Sequence, residues 1–253
     1  MSVFTKGSSC VHVVQGCCLE LMAALPASSV DLVVADLPYG TTDVDGDLMI
    51  DPASLWAQYR RILRPSGCVV LFASQPFTSI MTMSNLDWFK YSLVWNKNKC
   101  GSPGLAKYRP MKTHEDILIF APGVTTYNPH MEKGDPYARA GAKKVRCNEH
   151  KYGFGLNHAV VNEGTRYPKS ILNFSRDFSA QQQVHPHQKP VPLMKWLIET
   201  YSNPGDVCLD NAMGSGSTMV ACLETANRSG IGFEKSPDRF EVANARLTAA
   251  ATC

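Results

Sequence analysis

The stretch Val207-Cys-Leu-Asp-Asn-Ala-Met-Gly-Ser-Gly-Ser-Thr218 passes from a short apolar strand into a glycine-containing loop and then into a predicted helix at 217–225. Gly214 and Gly216 let the backbone approach a ligand closely, and the free N–H groups at the start of a helix favour an anion. No lysine follows the glycines, and Met219 stands where a dinucleotide-binding loop has its third glycine. The stretch therefore predicts a ligand-binding loop that is neither a P-loop nor a nicotinamide site.

The next predicted strand, at 230–233, ends at Glu234. A carboxylate at the end of that strand can accept hydrogen bonds from both hydroxyls of a ribose. The loop and the acid together indicate a nucleoside cofactor that carries a carboxylate rather than a pyrophosphate. S-adenosylmethionine fits this description.

Strands and helices alternate along the rest of the chain. The apolar runs predicted to be strands lie at 11–14, 30–35, 68–72, 91–95, 117–121, 207–209 and 230–233. The predicted helices lie at about 51–64, 190–201, 217–225 and 237–247. This alternation predicts an α/β fold with a doubly wound, mostly parallel sheet and helices on both faces. The segment at about 125–167 has little periodicity, and we expect it to be a functional loop.

The run at 30–35 ends at Asp36-Leu37-Pro38-Tyr39, in the position where open α/β sheets bind ligands. An exocyclic amine of adenine or cytosine is a poor nucleophile because its lone pair is delocalised into the ring. Asp36 can accept one amine hydrogen and the carbonyl of Leu37 or Pro38 the other, which frees the lone pair for direct methyl transfer. Tyr39 can stack on a base flipped out of a duplex. An aspartate that only caps a turn would give the same tetrapeptide, so both interpretations stay open for this motif alone.

Several motifs, in their order along the chain, resemble those of the DNA amino-methyltransferases. Asp36-Leu-Pro-Tyr39 resembles the D-P-P-Y signature, and Arg64-Pro-Ser-Gly67 resembles the K-P-G-G strand. His185-Pro-His-Gln-Lys-Pro190 resembles the H-P-T-Q-K-P box, and Asp210-Asn-Ala-Met-Gly-Ser-Gly216 resembles the D-x-F-x-G-x-G cofactor motif. The catalytic motif comes first and the cofactor motif last, which is similar to the β-class arrangement of small phage or prophage adenine methyltransferases.

The resemblance implies a single methyltransferase domain over 1–253 with a Rossmann-like, S-adenosylmethionine-dependent fold of about seven strands. A basic target-recognition insertion is expected at about 101–167. The residues expected to form the catalytic base pocket are Asp36, Leu37, Pro38 and Tyr39. The residues expected to bind the cofactor are Asp210, Gly214, Gly216, Ser217, Phe233, Glu234, Gln188 and Lys189, with the last two at its methionine end. The expected reaction is methylation of N6 of a flipped adenine in DNA, because a leading aspartate is typical of adenine enzymes and a leading serine of N4-cytosine enzymes.

Three positions depart from the family pattern. Leu37 replaces a proline of the signature, Ala212 replaces the phenylalanine of the cofactor motif, and Cys17 stands where many relatives have an aspartate that binds the cofactor's adenine amine. The alternatives are an N4-cytosine, RNA or protein-amide methyltransferase, and a catalytically inactive DNA-binding protein. A C5-cytosine enzyme is disfavoured, because its thiolate usually follows a proline and none of the nine cysteines does.

Basic residues are concentrated in the middle of the chain. From Lys97 to Arg176 there are 14 lysines or arginines and 6 acids, whereas the remainder has 11 and 16. This distribution favours a polyanion-binding face, although a solvated lysine-rich loop would show the same balance. The candidates for phosphate contact are Lys97, Lys99, Lys107, Arg109, Lys112, Lys143, Lys144 and Arg146.

The composition sets wider limits on the class of protein. The chain is 44% hydrophobic and 19% charged, which is typical of a globular protein with a full core. It has neither an apolar run of about 18 residues nor a signal-peptide pattern, so a cytoplasmic protein of a bacterium or phage-infected cell is expected. The cysteines contain no C-x-x-C pair, which predicts reduced thiols and no metal site. The expected partners are duplex DNA and a second copy of the chain, since relatives of this class often dimerise.

Overall fold

The computed structural model of the chain describes residues 1–40, 48–101, 103–139, 160–175 and 188–252. The chain divides into two compact units. The larger unit combines Met1–Asn128 with Ser170–Cys253, and the smaller unit is Pro129–Lys169. Each unit is built from its own strands, and the sequence motifs that predict a methyl-transfer site all belong to the larger one.

Strands and helices alternate as the sequence predicts. The strands are β1 (Ser2–Lys6), β2 (Ser9–Gln15), β3 (Val30–Ala35), β4 (Leu63–Ala73), β5 (Phe89–Gly101), β6 (Lys112–Phe120), β7 (Glu132–Lys133), β8 (Tyr137–Arg139), β9 (Val160–Asn162), β10 (Thr165–Arg166), β11 (Ile171–Asn173), β12 (Val207–Asp210) and β13 (Ser229–Glu234). The helices are α1 (Cys18–Ala23), α2 (Pro52–Ile62), α3 (Phe77–Ser84), α4 (Val191–Tyr201), α5 (Ser217–Glu224) and α6 (Pro237–Thr252), with a 3₁₀ turn at Pro103–Leu105.

The larger unit contains one sheet with the strand order β1-β2-β13-β12-β3-β4-β6-β5-β11. The central run from β2 to β4 is parallel, and β6 is antiparallel to both of its neighbours. The chain leaves β3 towards β4 on one side and leaves β12 towards β13 on the other. The strand order therefore reverses between β12 and β3, and a reversal of this kind opens a crevice at the carboxyl ends of the strands.

Strand β3 is central because its sequence suits burial on both faces. Val30, Val33 and Val34 have no exposed surface, as expected for a strand covered by helices on each side. Asp31 is the polar exception, and its carboxylate is satisfied by the Arg64 guanidinium at 2.8 Å and by a backbone N–H of β12. This pairing ties β3 to both of its flanking segments.

Helices cover the sheet on both faces. One apolar cluster contains side chains of α4, α5 and α6, among them Leu197 and Met219. The other contains side chains of α1, α2 and α3, among them Met22 and Tyr59. The prediction of a doubly wound, mostly parallel α/β sheet is confirmed. The sheet has nine strands in the described residues rather than seven, because β1 and β11 add one strand at each edge.

The smaller unit contains two short antiparallel ladders, β7 with β10 and β8 with β9. The guanidinium of Arg166 lies 4.8 Å from the ring centroid of Tyr137 and donates to the side-chain oxygen of Asn162. The segment of low periodicity is therefore partly built from strands that are too short to produce a sequence pattern. Within the described residues, none of the helices combines the length and the apolar character that a membrane crossing requires.

Candidate active site

A cavity of about 500 Å³ lies at the carboxyl ends of β2, β3, β12 and β13, at the strand-order reversal. Its walls are the loops that follow those four strands, together with residues 48–51, Glu115 on β6, and the pair Gln188 and Lys189 before α4. A volume of this size is within the range of small-molecule and cofactor sites. The crevice predicted from the strand order is thus present.

The loop after β3 places a carboxylate and a phenol side by side. The Tyr39 hydroxyl donates to Asp36 Oδ1 at 2.9 Å. The Tyr39 ring is stacked on Phe77, with ring centroids 4.8 Å apart and an interplanar angle of 27°. Burial, reinforced by the charge of Asp36, raises the pKa of Tyr39 well above its usual value, so the phenol keeps its proton and remains a donor. Leu37 between them is buried, which anchors the loop in the core.

The second oxygen of Asp36 is paired with a buried lysine. Lys189 Nζ lies 2.6 Å from Asp36 Oδ2 and 3.1 Å from Glu115 Oε2. Burial alone lowers the pKa of Lys189, but the two carboxylates outweigh burial and raise it. The ammonium therefore stays charged, and it fixes the orientation of the Asp36 carboxylate.

The loop after β12 is organised by its first residue. Asp210 Oδ2 accepts from the Thr218 hydroxyl, and Oδ1 accepts from the backbone N–H of Ala212 at 3.1 Å. Burial raises the pKa of Asp210 to about 7, although the hydrogen bond from Thr218 acts in the opposite direction. These bonds close the loop onto the start of α5.

The two glycines of this loop serve different purposes. Gly214 has a φ of 53°, and a Cβ placed there would have nothing within 4 Å, so its backbone borders open space. Gly216 has a φ of 79°, and a Cβ there would lie 3.2 Å from Cβ of Ala243 on α6. Only Gly214 lines the cavity, whereas Gly216 is required by helix packing.

Glu234 ends β13 at the wall of the cavity. Its two carboxylate oxygens accept from the backbone N–H groups of Gly214 at 2.9 Å and Ser236 at 2.8 Å. A carboxylate has about four acceptor positions, so the group retains capacity for further donors. The residue before it, Phe233, points into the core, where 2% of its surface is exposed.

Most of the residues predicted to form the site line this one cavity. They are Asp36, Leu37, Pro38, Tyr39, Gln188, Lys189, Asp210, Gly214, Ser217 and Glu234. Gly216 and Phe233, the other two residues of the predicted cofactor set, lie behind this lining: Gly216 packs against α6 and the ring of Phe233 belongs to the core.

The predicted phosphate contacts divide into three groups. Lys99, Lys107 and Arg109 are exposed. Lys97 is only 8% exposed, and its ammonium lies 3.1 Å from Glu115 Oε1, so it is buried and paired with a carboxylate. Lys112 is half-buried and donates to Ser74. The remaining three candidates, Lys143, Lys144 and Arg146, lie outside the described residues.

Sequence reasoning missed Glu115. It begins an acid pair with Asp116 just before the apolar run at 117–121, and β6 starts at the same edge of the sheet at which β3 ends. Two adjacent acids near the start of a strand that begins at the edge where β3 ends could have identified Glu115 as a site residue. Cys17, which departs from the family pattern, and the neighbouring Cys18 are free thiols that line the cavity.

Comparison with known proteins agrees with this geometry. Residues 30–245 match the family model described as DNA methylase of the N6/N4 type. The DNA adenine methyltransferase YhdJ of Escherichia coli K12 is 27% identical over 258 residues, which cover 96% of this chain and 85% of that protein. The chain belongs to the N6/N4 family of DNA methylases, and the cofactor is S-adenosylmethionine.

Two solved structures share the fold. The crystal structure of the M1.HpyAVI–SAM complex has a TM-score of 0.62 at 22% identity and covers 94% of this chain and 98% of its own. The PvuII DNA methyltransferase, described as cytosine-N4-specific, has a TM-score of 0.65 at 15% identity, with 98% and 93% covered. The fold is therefore shared with solved methyltransferase structures.

Proposed function

We propose that this chain transfers a methyl group from S-adenosylmethionine to N6 of an adenine flipped out of DNA. The observation that carries the proposal is the Asp36 carboxylate in the wall of the cavity, held by Tyr39 at 2.9 Å and by Lys189 at 2.6 Å. A carboxylate held on two sides has a fixed direction in which it accepts a further hydrogen bond. That property suits the recognition of one amine hydrogen at a defined angle.

The residues after β3 activate the amine. Asp36 accepts one N6 hydrogen, and the carbonyl of Leu37 or Pro38 accepts the other, so that the nitrogen lone pair points out of the base plane. S-adenosylmethionine supplies an electrophilic methyl group on a positively charged sulfur. As the N6–methyl bond forms, the sulfur–methyl bond breaks and the sulfonium becomes a neutral thioether. Positive charge develops on N6, the adjacent carboxylate of Asp36 stabilises it, and N6 then releases one proton to water. The face of Tyr39 that is not stacked on Phe77 carries the flipped base.

The loops after β12 and β13 fit the cofactor. Glu234 has spare acceptor capacity for the two ribose hydroxyls, and Gly214 gives the ligand close access to the backbone. Gln188 and Lys189 line the cavity just before α4, and we assign them to the methionine end. The carboxylates and backbone donors therefore suit a ligand that has hydroxyl, amine and carboxylate groups.

The choice of adenine over cytosine has two supports. The tetrapeptide begins with aspartate, and the relative YhdJ is named as a DNA adenine methyltransferase. The likeness to the cytosine-N4-specific PvuII enzyme shows that the same fold is also used for the other base. N4-cytosine methylation is therefore the alternative that the product analysis below has to separate.

Target recognition is assigned to the basic middle of the chain. Lys107 and Arg109 are exposed and flank Tyr108, which is 84% exposed, in the connection between β5 and β6. Strand β5 ends at the sheet edge that carries the cavity, which supports the proposal that this loop contacts phosphates beside a flipped base. The smaller unit, Pro129–Lys169, is proposed to supply further DNA contacts.

The test is the identity of the methylated product. The purified protein is incubated with labelled S-adenosylmethionine and unmethylated duplex DNA, and the digested nucleosides are identified by mass. N6-methyldeoxyadenosine is the expected product. N4-methyldeoxycytidine would overturn the choice of base, and no methylated nucleoside on duplex DNA, single-stranded DNA or RNA would overturn the proposed activity.

A further inference from the structure

Four charged side chains alternate in sign along a path that ends at the cavity. Lys97 pairs with Glu115 at 3.1 Å, Glu115 pairs with Lys189 at 3.1 Å, and Lys189 pairs with Asp36 at 2.6 Å. Two of these residues, Lys97 and Glu115, belong to none of the sequence motifs. The path therefore extends the site by one strand pair, β5 and β6, beyond the motif loops.

Asp36, Lys189 and Glu115 line the cavity, and Asp36 is the most exposed member of the path. The side chains of Lys97, Glu115 and Lys189 are 10%, 15% and 10% exposed, whereas that of Asp36 is 27% exposed. Lys189 Nζ also lies 4.9 Å from the ring centroid of Phe72, so aromatic surface rather than water surrounds the ammonium. Charges at this depth interact more strongly than in water, because the surrounding dielectric is lower.

Glu115 is committed to both lysines. One oxygen faces Lys97 and the other faces Lys189, and the two ammonium groups hold the pKa of Glu115 down to about 2 even though burial acts to raise it. The group is therefore ionised throughout the range in which an enzyme of this kind is assayed. The four charges sum to zero.

We propose that Glu115, held in place by Lys97, is a positioning residue that divides the ammonium of Lys189 between two carboxylates. Lys189 then fixes one oxygen of Asp36 without withdrawing the negative charge that Asp36 needs to accept the amine. This inference rests on the proposed methyl transfer, and it names the residues that set the electrostatics of the same site.

Loss of the charge on Glu115 has two consequences for the reaction. Asp36 becomes the one carboxylate partner of Lys189 among the described residues, so the ammonium moves onto it. The group of four also gains a net positive charge next to the nitrogen on which positive charge develops. Both effects oppose the transfer step, and misplacement of a reacting group by about 1 Å can cost about 100-fold in rate.

The experiment compares Glu115→Gln, which keeps the size and removes the charge, with Glu115→Asp, which keeps the charge and shortens the side chain. Glu199→Gln is the matched control, because Glu199 forms an exposed ion pair with Lys195 at 3.9 Å on α4. Single-turnover methylation of duplex DNA gives the rate, and calorimetry gives the Kd for S-adenosylmethionine. The dissociation constant also shows that each variant is folded.

The expected result, with S-adenosylmethionine at a saturating concentration set from the Kd of each variant, is a rate at least about tenfold lower for Glu115→Gln. Glu115→Asp retains more activity than Glu115→Gln, and Glu199→Gln matches the wild type. If the wild type is active and the Glu115→Gln rate lies within twofold of the wild-type rate, the positioning role is overturned. A Glu115→Asp rate below the Glu115→Gln rate overturns it as well, because an effect of side-chain size alone would give that order. A wild type that methylates no nucleic acid overturns the proposed function itself and is recognised before any variant is compared.

Discussion

Asp210 makes the stability of the fold depend on pH. Its pKa is raised from an ordinary 3.8 to about 7 by burial, so between these values the folded state keeps a proton that the unfolded state has lost. The contribution of Asp210 to stability is then fully present below about pH 4 and falls as pH rises towards 7, by about 1.4 kcal/mol for each pH unit. The shift of about 3 units amounts to about 4 kcal/mol.

Asp210→Asn removes this dependence. The amide keeps an oxygen for the N–H of Ala212 and a donor for the Thr218 hydroxyl, but it never ionises. We expect the variant to gain about 3 kcal/mol relative to the wild type between pH 5 and pH 8, since most of the titration of Asp210 lies in that interval. Urea unfolding followed by tryptophan fluorescence measures the difference, and Asp238→Asn, at an exposed position on α6, is the control. A difference between variant and wild type that is constant over this pH range would refute the reasoning.

Three further predictions concern packing, catalysis and DNA binding. Gly216→Ala should lower the free energy of unfolding by about 2–3 kcal/mol, whereas Gly205→Ala should lower it by only about 1 kcal/mol. Both glycines have a positive φ, but only a Cβ at position 216 would meet a neighbouring side chain. Equal losses of stability in urea unfolding would contradict this prediction. Tyr39→Phe keeps the ring but loses the hydrogen bond to Asp36, which is worth about 1 kcal/mol. The single-turnover rate of methylation should therefore fall about fivefold. An unchanged rate would show that this hydrogen bond does not orient Asp36. Lys107→Gln should reduce the slope of log affinity for DNA against log salt by about 1, and an unchanged slope would exclude a phosphate contact.

The elements with long apolar patterns are predictable from sequence. Strand β3 has six consecutive buried residues and α2 has a proline in its first turn with Asp51 as its N-cap, and both were predicted close to their observed bounds. Helix α3 was not predicted, because its N-cap position holds Pro76 and no side chain caps it. The strands of the smaller unit have two or three residues each, which is too short to produce a recognisable alternation of apolar and polar residues.

Site residues are predictable from sequence where they lie in a loop that directly follows a strand. They are not predictable where contacts between distant segments bring them to the site. Asp36, Asp210 and Glu234 come immediately after or at the end of apolar strands, so their meeting at one edge follows from topology. Lys97 looks like any other lysine of a basic segment, since charge counting does not reveal that its side chain pairs with Glu115 of the neighbouring strand β6. Long-range pairing of this kind is set by strand register rather than by local sequence.

The central claim is that the carboxylate of Asp36 activates the amine that is methylated. The most direct test is the rate of N6-methyldeoxyadenosine formation by Asp36→Ala, measured together with its Kd for S-adenosylmethionine. The account predicts no detectable product and a Kd within about threefold of the wild type, because Asp36 serves the base and the transferred charge rather than the cofactor. Near-wild-type formation of N6-methyldeoxyadenosine by this variant would contradict it.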